Sequence, residues 1–328
     1  MTTTTKPKIF IARPIPPEVE QYLAQHCTYT KWSGDKPASL EEIIEHISDV
    51  DGLLTTGGRI NAELLDHAPN LKVVSTMSVG YNNFDIEEMK RRGIKGTNTP
   101  DVLNDTVADL ILSMMLSVAR RVPEMDKYIR EGNWKRGDNE SLFGLDVHHK
   151  TLGIIGMGSI GRAVAHRAKH GFGMDILYHN RHRSEQAEQD YGAVYSSMDE
   201  LLGSSDFIVL MTPLTEETRH MIGEAEFAKM KRTAIFINAS RGQTVDEEAL
   251  IQALQNGVIY GAGLDVFEKE PIDPSNPLLK MSNVVLLPHI GSATEKTRTD
   301  MAMRAAENLV RVLQGESPAG LVKELRDV

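Results

Sequence analysis

The sequence predicts an α/β protein built from parallel sheets in two domains. Three observations carry that expectation. Short apolar segments alternate with amphipathic ones almost throughout, and 328 residues exceed one typical compact unit. In addition, Gly156-Met157-Gly158-Ser159-Ile160-Gly161 lies between a strand-like apolar run and a helix-like segment.

In the first hundred residues, period and composition place strands at 8–12, 52–56, 71–76 and 94–97. Helices fall near 17–26, 40–47, 62–68 and 86–92, the last stopped by Gly93. A long helical segment at 104–121 ends before Pro123. A second series then supplies strands at 152–155, 175–179, 207–211, 234–238, 263–266 and 284–287. Helices near 160–172, 198–203, 224–230 and 246–256 separate them. The final helix, 293–314, carries Met301, Ala305, Leu309 and Val312 in helical spacing. The two long helices frame the second series, so the chain is expected to leave the first domain through one and return through the other. That gives a discontinuous domain of 1–102 plus 288–328 and an inserted domain of 103–287. The pattern alone also permits two consecutive domains split near residue 102.

Composition narrows the function. Hydrophobic content of 41% and charged content of 25% are those of an ordinary globular protein. A formal charge of −10, with no basic stripe to offset it, argues against nucleic acid as a partner. The lone cysteine, Cys27, allows no intramolecular disulfide and points to the cytoplasm. Residues 1–8 form a Thr-rich polar lead without the apolar stretch of a secretory signal. The most apolar helical segment, 108–119, is broken by Asp109, Ser113 and Ser117 and is too short to cross a bilayer, so no membrane partner is expected. No HExxH or CxxC occurs and His148-His149 lack a third ligand nearby, so no metal is expected.

The glycine-rich segment has the context of a dinucleotide site. Gly156 permits a tight turn, Gly158 lets backbone approach a pyrophosphate, and Gly161 lets helix and strand pack closely. The helix opening at Ser159 and Ile160 offers free N–H groups to phosphates. An acidic residue at the end of the next strand would take a ribose 2′-OH, whereas arginine suits a 2′-phosphate. Asp175 lies about twenty residues on, but it begins its strand, and ligands meet the carboxyl ends. That end reads His179-Asn180-Arg181-His182-Arg183-Ser184 and has no carboxylate. With Asn180 beside them, Arg181 and Arg183 make NADPH the expected cofactor, NADH being the alternative.

Three further strands end in polar residues: Asn238-Ala239-Ser240-Arg241-Gly242, Phe267-Glu268-Lys269-Glu270-Pro271 and Pro288-His289-Ile290-Gly291-Ser292. Parallel strands set their carboxyl ends along one crevice, so Arg241, Glu270 and His289 are expected to converge. Arg241 offers a planar fork of donors, His289 a side chain able to give a proton, and Glu270 a carboxylate that could orient the ring. Glu268 is the competing carboxylate.

These segments, the glycine-rich turn and Ser78-Val79-Gly80-Tyr81-Asn82-Asn83-Phe84-Asp85 resemble the D-2-hydroxyacid dehydrogenase family over essentially the whole chain. The run Asp146-Val147-His148-His149-Lys150-Thr151-Leu152-Gly153 is similar to that of bacterial glyoxylate/hydroxypyruvate reductases that also reduce 2-ketogluconate. The resemblance implies two Rossmann-like parallel-sheet domains, one flavodoxin-like and one dinucleotide-binding, with a cleft between them. It implies the discontinuous version of the domain layout and a homodimer formed through the cofactor domain. It assigns catalysis to Arg241, Glu270 and His289, with Glu270 favoured over Glu268 because the family's carboxylate directly precedes a proline. It gives Val79, Gly80 and Ser292 to the substrate, joining Arg241 and His289, and Thr212, Ala239 and Asp265 to the cofactor. The expected activity is NADPH-dependent reduction of small 2-oxo acids to D-2-hydroxy acids. The alternatives are a nucleotide-sensing protein without catalysis on the same scaffold, or an NAD-linked enzyme such as phosphoglycerate dehydrogenase.

Overall fold

Strands pair in parallel throughout the two sheets of the computed structural model, which describes residues 6–137 and 140–328. Most of the N-terminal lead, residues 1–5, lies outside the described residues. The expected fold class is the one observed. Two compact units divide the chain, one made of 1–102 and 293–328 and the other of 103–292. The return to the first unit falls after Ser292, not at 287/288.

The first unit has a five-stranded sheet of β1 (Lys8–Ile11), β2 (Thr28–Lys31), β3 (Gly52–Thr55), β4 (Val73–Thr76) and β5 (Lys95–Thr97) in the order β2-β1-β3-β4-β5, a flavodoxin-type arrangement. Its central strands are apolar on both faces, as a sheet covered on both sides requires. Phe10, Leu53 and Val74 point to one side, against Ile43, Leu64 and Met89. Ile9, Ile11, Leu54 and Val73 point to the other, against Val19, Leu23 and the helix Glu295–Leu313 through Ala302, Ala305 and Leu309. That helix is also pinned by buried hydrogen bonds from Ser75 Oγ to the Ala305 carbonyl (2.7 Å) and from Asn308 Nδ2 to the Asn98 carbonyl (2.9 Å). The unit thus needs the C-terminal segment to close its core.

The second unit has a seven-stranded sheet of β6 (Thr151–Ile155), β7 (Asp175–His179), β8 (Val194–Tyr195), β9 (Phe207–Leu210), β10 (Ile235–Asn238), β11 (Gly261–Leu264) and β12 (Val284–Leu286). The order is β12-β11-β10-β9-β6-β7-β8, so the direction of winding reverses between β6 and β9. This is the dinucleotide-binding order, and its reversal point lies where the glycine-rich turn leaves β6.

Some elements differ from the sequence reading. β2 and β8 were not anticipated; they are edge strands, short and polar, with little of the apolar signal of interior strands. The helices Val122–Arg130 and Glu185–Tyr191 were missed because they bury little: none and Ala187 respectively. β11 starts at Gly261, two residues before the expected 263. A Cβ on Gly261 would lie 2.5 Å from the Asn283 carbonyl oxygen and 2.9 Å from a Val118 methyl, so glycine, silent to apolar patterning, lets the helix Asn104–Ala119 pack on this strand.

Leu309 is fully buried in the first unit, and Leu309→Ala should destabilise that unit by roughly 2–5 kcal/mol. Urea unfolding followed by circular dichroism should show a lowered midpoint for one transition. An unchanged midpoint would mean that this helix is not part of the core.

Candidate active site

The turn after β6 is shaped by close contacts. Gly156 has φ of +104°, and a Cβ there would stand 2.7 Å from the Met211 carbonyl carbon, so only glycine fits. Asn180, just beyond β7, clamps the turn: its Oδ1 accepts from the Met157 N–H at 2.7 Å, and the Tyr195 hydroxyl donates to the Asn180 carbonyl at 3.0 Å. Asn180 therefore braces the loop. The helix Ser159–Phe172 begins at Gly158 with no capping side chain, which leaves its first N–H groups for an anion. Thr212 and Ala239 follow β9 and β10 on the same side of the sheet, and the Thr212 hydroxyl approaches Met221 Sδ at 3.4 Å. Asp175 opens β7 at the opposite end.

The two arginines after β7 differ. Arg181 is exposed and makes no hydrogen bond among the described residues, whereas Arg183 lies bidentate on Glu188 (2.9 and 3.0 Å) with its guanidinium 5.8 Å above the Tyr195 ring centre. The uncapped helix start, the close approach at Gly156 and the cationic Arg181 together fit a dinucleotide with a phosphate-rich backbone.

Arg241, Glu270 and His289 come together within this second unit. His289 Nδ1 lies 2.7 Å from Glu270 Oε2, while Glu270 Oε1 accepts from the Phe267 N–H at 3.1 Å. Glu268, the competing carboxylate, faces His220 Nε2 at 3.2 Å instead. Burial works against the Glu270 carboxylate, but hydrogen bonds and charge from His289, with Arg241 also contributing, hold it below the usual carboxylate range. Burial likewise pulls the Arg241 guanidinium below its ordinary value, with Glu270 opposing. The Arg241 backbone is fixed by its carbonyl, which accepts from Thr244 Oγ1 (2.6 Å) and Asn238 Nδ2 (3.1 Å).

His289 sits at φ +54°, a left-handed conformation uncommon for residues other than glycine. Asp265, 2% exposed, accounts for it: its two carboxylate oxygens accept from the N–H groups of Ile290 (2.7 Å) and Gly291 (2.8 Å). Burial raises the Asp265 pKa despite those donors. Sequence reasoning placed Asp265 at the cofactor and missed this support of the histidine. Beside the pair, a cleft of about 480 Å³ is lined by Phe267, Pro271, Ile272, Leu286 and Pro288. Ser292 ends the unit and makes no side-chain hydrogen bond among the described residues.

Val79 and Gly80 follow β4 in the first unit. Their carbonyls are occupied, by Asn98 Nδ2 (2.7 Å) and Ser78 Oγ (2.7 Å), while their N–H groups donate to nothing among the described residues. Paired donors of this kind suit a carboxylate.

Comparison with known proteins agrees with this architecture. Residues 112–291 match the NAD-binding domain of D-isomer specific 2-hydroxyacid dehydrogenases. Glyoxylate/hydroxypyruvate reductase B of Yersinia pestis (strain Pestoides F) is 49% identical over 310 residues, covering 94% of this chain and 95% of that protein. A solved Thermus thermophilus protein superposes with a TM-score of 0.89 at 41% identity, covering 96% of this chain and 99% of its own. The NADPH-dependent glyoxylate/hydroxypyruvate reductase of Sinorhizobium meliloti, solved with NADP and malonate, gives a TM-score of 0.87 at 34% identity, covering 98% of each chain. The strand order, the glycine-rich turn and these likenesses agree, and the chain belongs to the D-isomer specific 2-hydroxyacid dehydrogenase family of nicotinamide-dependent oxidoreductases.

Proposed function

We propose that this protein reduces glyoxylate and hydroxypyruvate, with 2-ketogluconate as a further candidate, to D-2-hydroxy acids, and that it prefers NADPH to NADH. The observation that carries the reading is the 2.7 Å contact between His289 Nδ1 and Glu270 Oε2. With Nδ1 committed to the carboxylate, Nε2 is the nitrogen left to deliver a proton. Reduced nicotinamide supplies the hydride. Arg241 binds the carboxylate and the keto oxygen of the substrate, and its fixed charge stabilises negative charge as it grows on that oxygen. His289 Nε2 then gives its proton to the alkoxide, and Glu270 balances the imidazolium before transfer. Asp265 holds the backbone that aims the ring, and Val79 and Gly80 supply N–H donors of the kind a substrate carboxylate accepts. Ser292, Thr212 and Ala239 keep the substrate and cofactor roles given above. Arg181, which has no hydrogen-bonded carboxylate among the described residues, supports the NADPH preference, as does the name of the Sinorhizobium relative; the name of the Yersinia relative supports the substrates.

The protein is further proposed to be a cytoplasmic homodimer assembled through the second unit. The support is a run of exposed apolar side chains on and after the helix Val122–Arg130: Val122, Ile129, Trp134 and Phe143, the last two each 67% exposed. Among the described residues no helix is long and apolar enough to cross a membrane.

Consumption of NADPH with the three 2-oxo acids tests the activity directly. His289→Gln should lower kcat by about a hundredfold to ten-thousandfold while dinucleotide affinity, read by fluorescence, stays within about twofold. Near-normal turnover would remove the proposed acid. Glu270, held ionised to below the ordinary carboxylate range, should add no acid limb near neutrality to the pH profile of kcat/KM for reduction. For the assembly, Ile129→Glu with Trp134→Glu should shift the mass seen by light scattering from dimer to monomer; a monomeric wild type would refute the dimer.

A further inference from the structure

The two arginines past β7 are not equivalent, and the difference traces to Glu188. This carboxylate, from the helix Glu185–Tyr191, takes Arg183 Nε at 3.0 Å and Nη2 at 2.9 Å. It also accepts the Tyr178 hydroxyl at 2.6 Å, and that hydroxyl in turn receives the Ser184 N–H at 2.8 Å. Glu188 is consequently fixed by three hydrogen bonds from two residues, with Arg183 and then Tyr178 keeping it ionised below the usual range. Arg183 gains a second restraint from the Tyr195 ring beneath it. Arg181, by contrast, makes no hydrogen bond among the described residues and meets Glu217 through space, whose own carboxylate is bound by the Thr215 hydroxyl.

We propose that Glu188 is a specificity-determining residue that attenuates the preference for a 2′-phosphorylated dinucleotide by holding Arg183 away from the phosphate. Arg181 then carries most of the 2′-phosphate recognition, and the local charge offered is nearer +1 than the +2 that two arginines suggest. This rests on the NADPH reading above and refines it. The physical argument is simple. A 2′-phosphate recruits Arg183 only by competing with an ion pair that is already bidentate and buttressed. A 2′-OH gains nothing from the arginine, so the pair costs NADH nothing. Release of Arg183 should therefore tighten one cofactor and not the other, which a general structural role for Glu188 would not do.

The test is calorimetric titration of the intact protein with adenosine 2′,5′-bisphosphate and, as its partner lacking the 2′-phosphate, adenosine 5′-monophosphate. Glu188→Gln keeps an acceptor for Tyr178 and removes the charge. It should bind the bisphosphate about three- to fivefold more tightly, a size fitting one partly exposed charge pair, with the monophosphate unchanged. Arg183→Gln should cost little in the wild type, less than Arg181→Gln, but should cancel the gain in the Glu188→Gln background. The idea is overturned if Glu188→Gln leaves bisphosphate affinity unaltered, if both nucleotides change equally, or if Arg183→Gln costs as much as Arg181→Gln. A wild type that does not favour the bisphosphate contradicts the NADPH reading instead. In that case a preference appearing only in Glu188→Gln still supports the attenuating role, and its absence there removes both.

Discussion

The carboxylate of Asp265 sets the local order on which the candidate site depends. Its oxygens take two successive N–H groups, those of Ile290 and Gly291, so the chain past His289 has one path. The histidine absorbs the mismatch by accepting a left-handed backbone, and its ring then meets Glu270 in a short hydrogen bond. Burying a carboxylate is costly, and here the cost is offset by two backbone donors together with the charge of His289. The local strain at His289 is stored beside its short contact with Glu270.

Parallel strands make that arrangement available. Arg241 follows β10, Asp265 follows β11 and His289 follows β12, on neighbouring strands of the sheet though 24 residues apart in sequence at each step. The glycine-rich turn follows β6, at the reversal of strand order, where two loops diverge and leave room for a ligand. One end of the sheet thus carries the His289–Glu270 pair and the interior the glycine-rich turn.

Much of this was legible in the sequence because it is written in local patterns. Interior strands such as Gly52–Thr55 and Phe207–Leu210 are continuous apolar runs, and the turn at Gly156 announces itself by glycine spacing. Edge strands and weakly buried helices were not legible, since Thr28–Lys31 and Val122–Arg130 bury almost nothing. Within the site, Arg241, Glu270 and His289 could be named from strand ends and from family resemblance. The bond from Asp265 to residues 290 and 291 could not, because it joins a side chain to backbone and leaves no residue-type signature. Nor did two nearby arginines reveal that one of them is occupied; Glu188, on the first turns of the following helix, was the signal, five residues beyond Arg183.

The insertion of one unit into the other has a consequence for biosynthesis. The segment 103–292 is contiguous, so it can collapse as soon as it leaves the ribosome. The sheet of β1 to β5 emerges earlier yet lacks part of the covering of one face, over β3 and β4, until 295–313 is translated. The nascent protein therefore carries Leu54 and Val73 incompletely covered through most of translation, and the module made first is the one finished last.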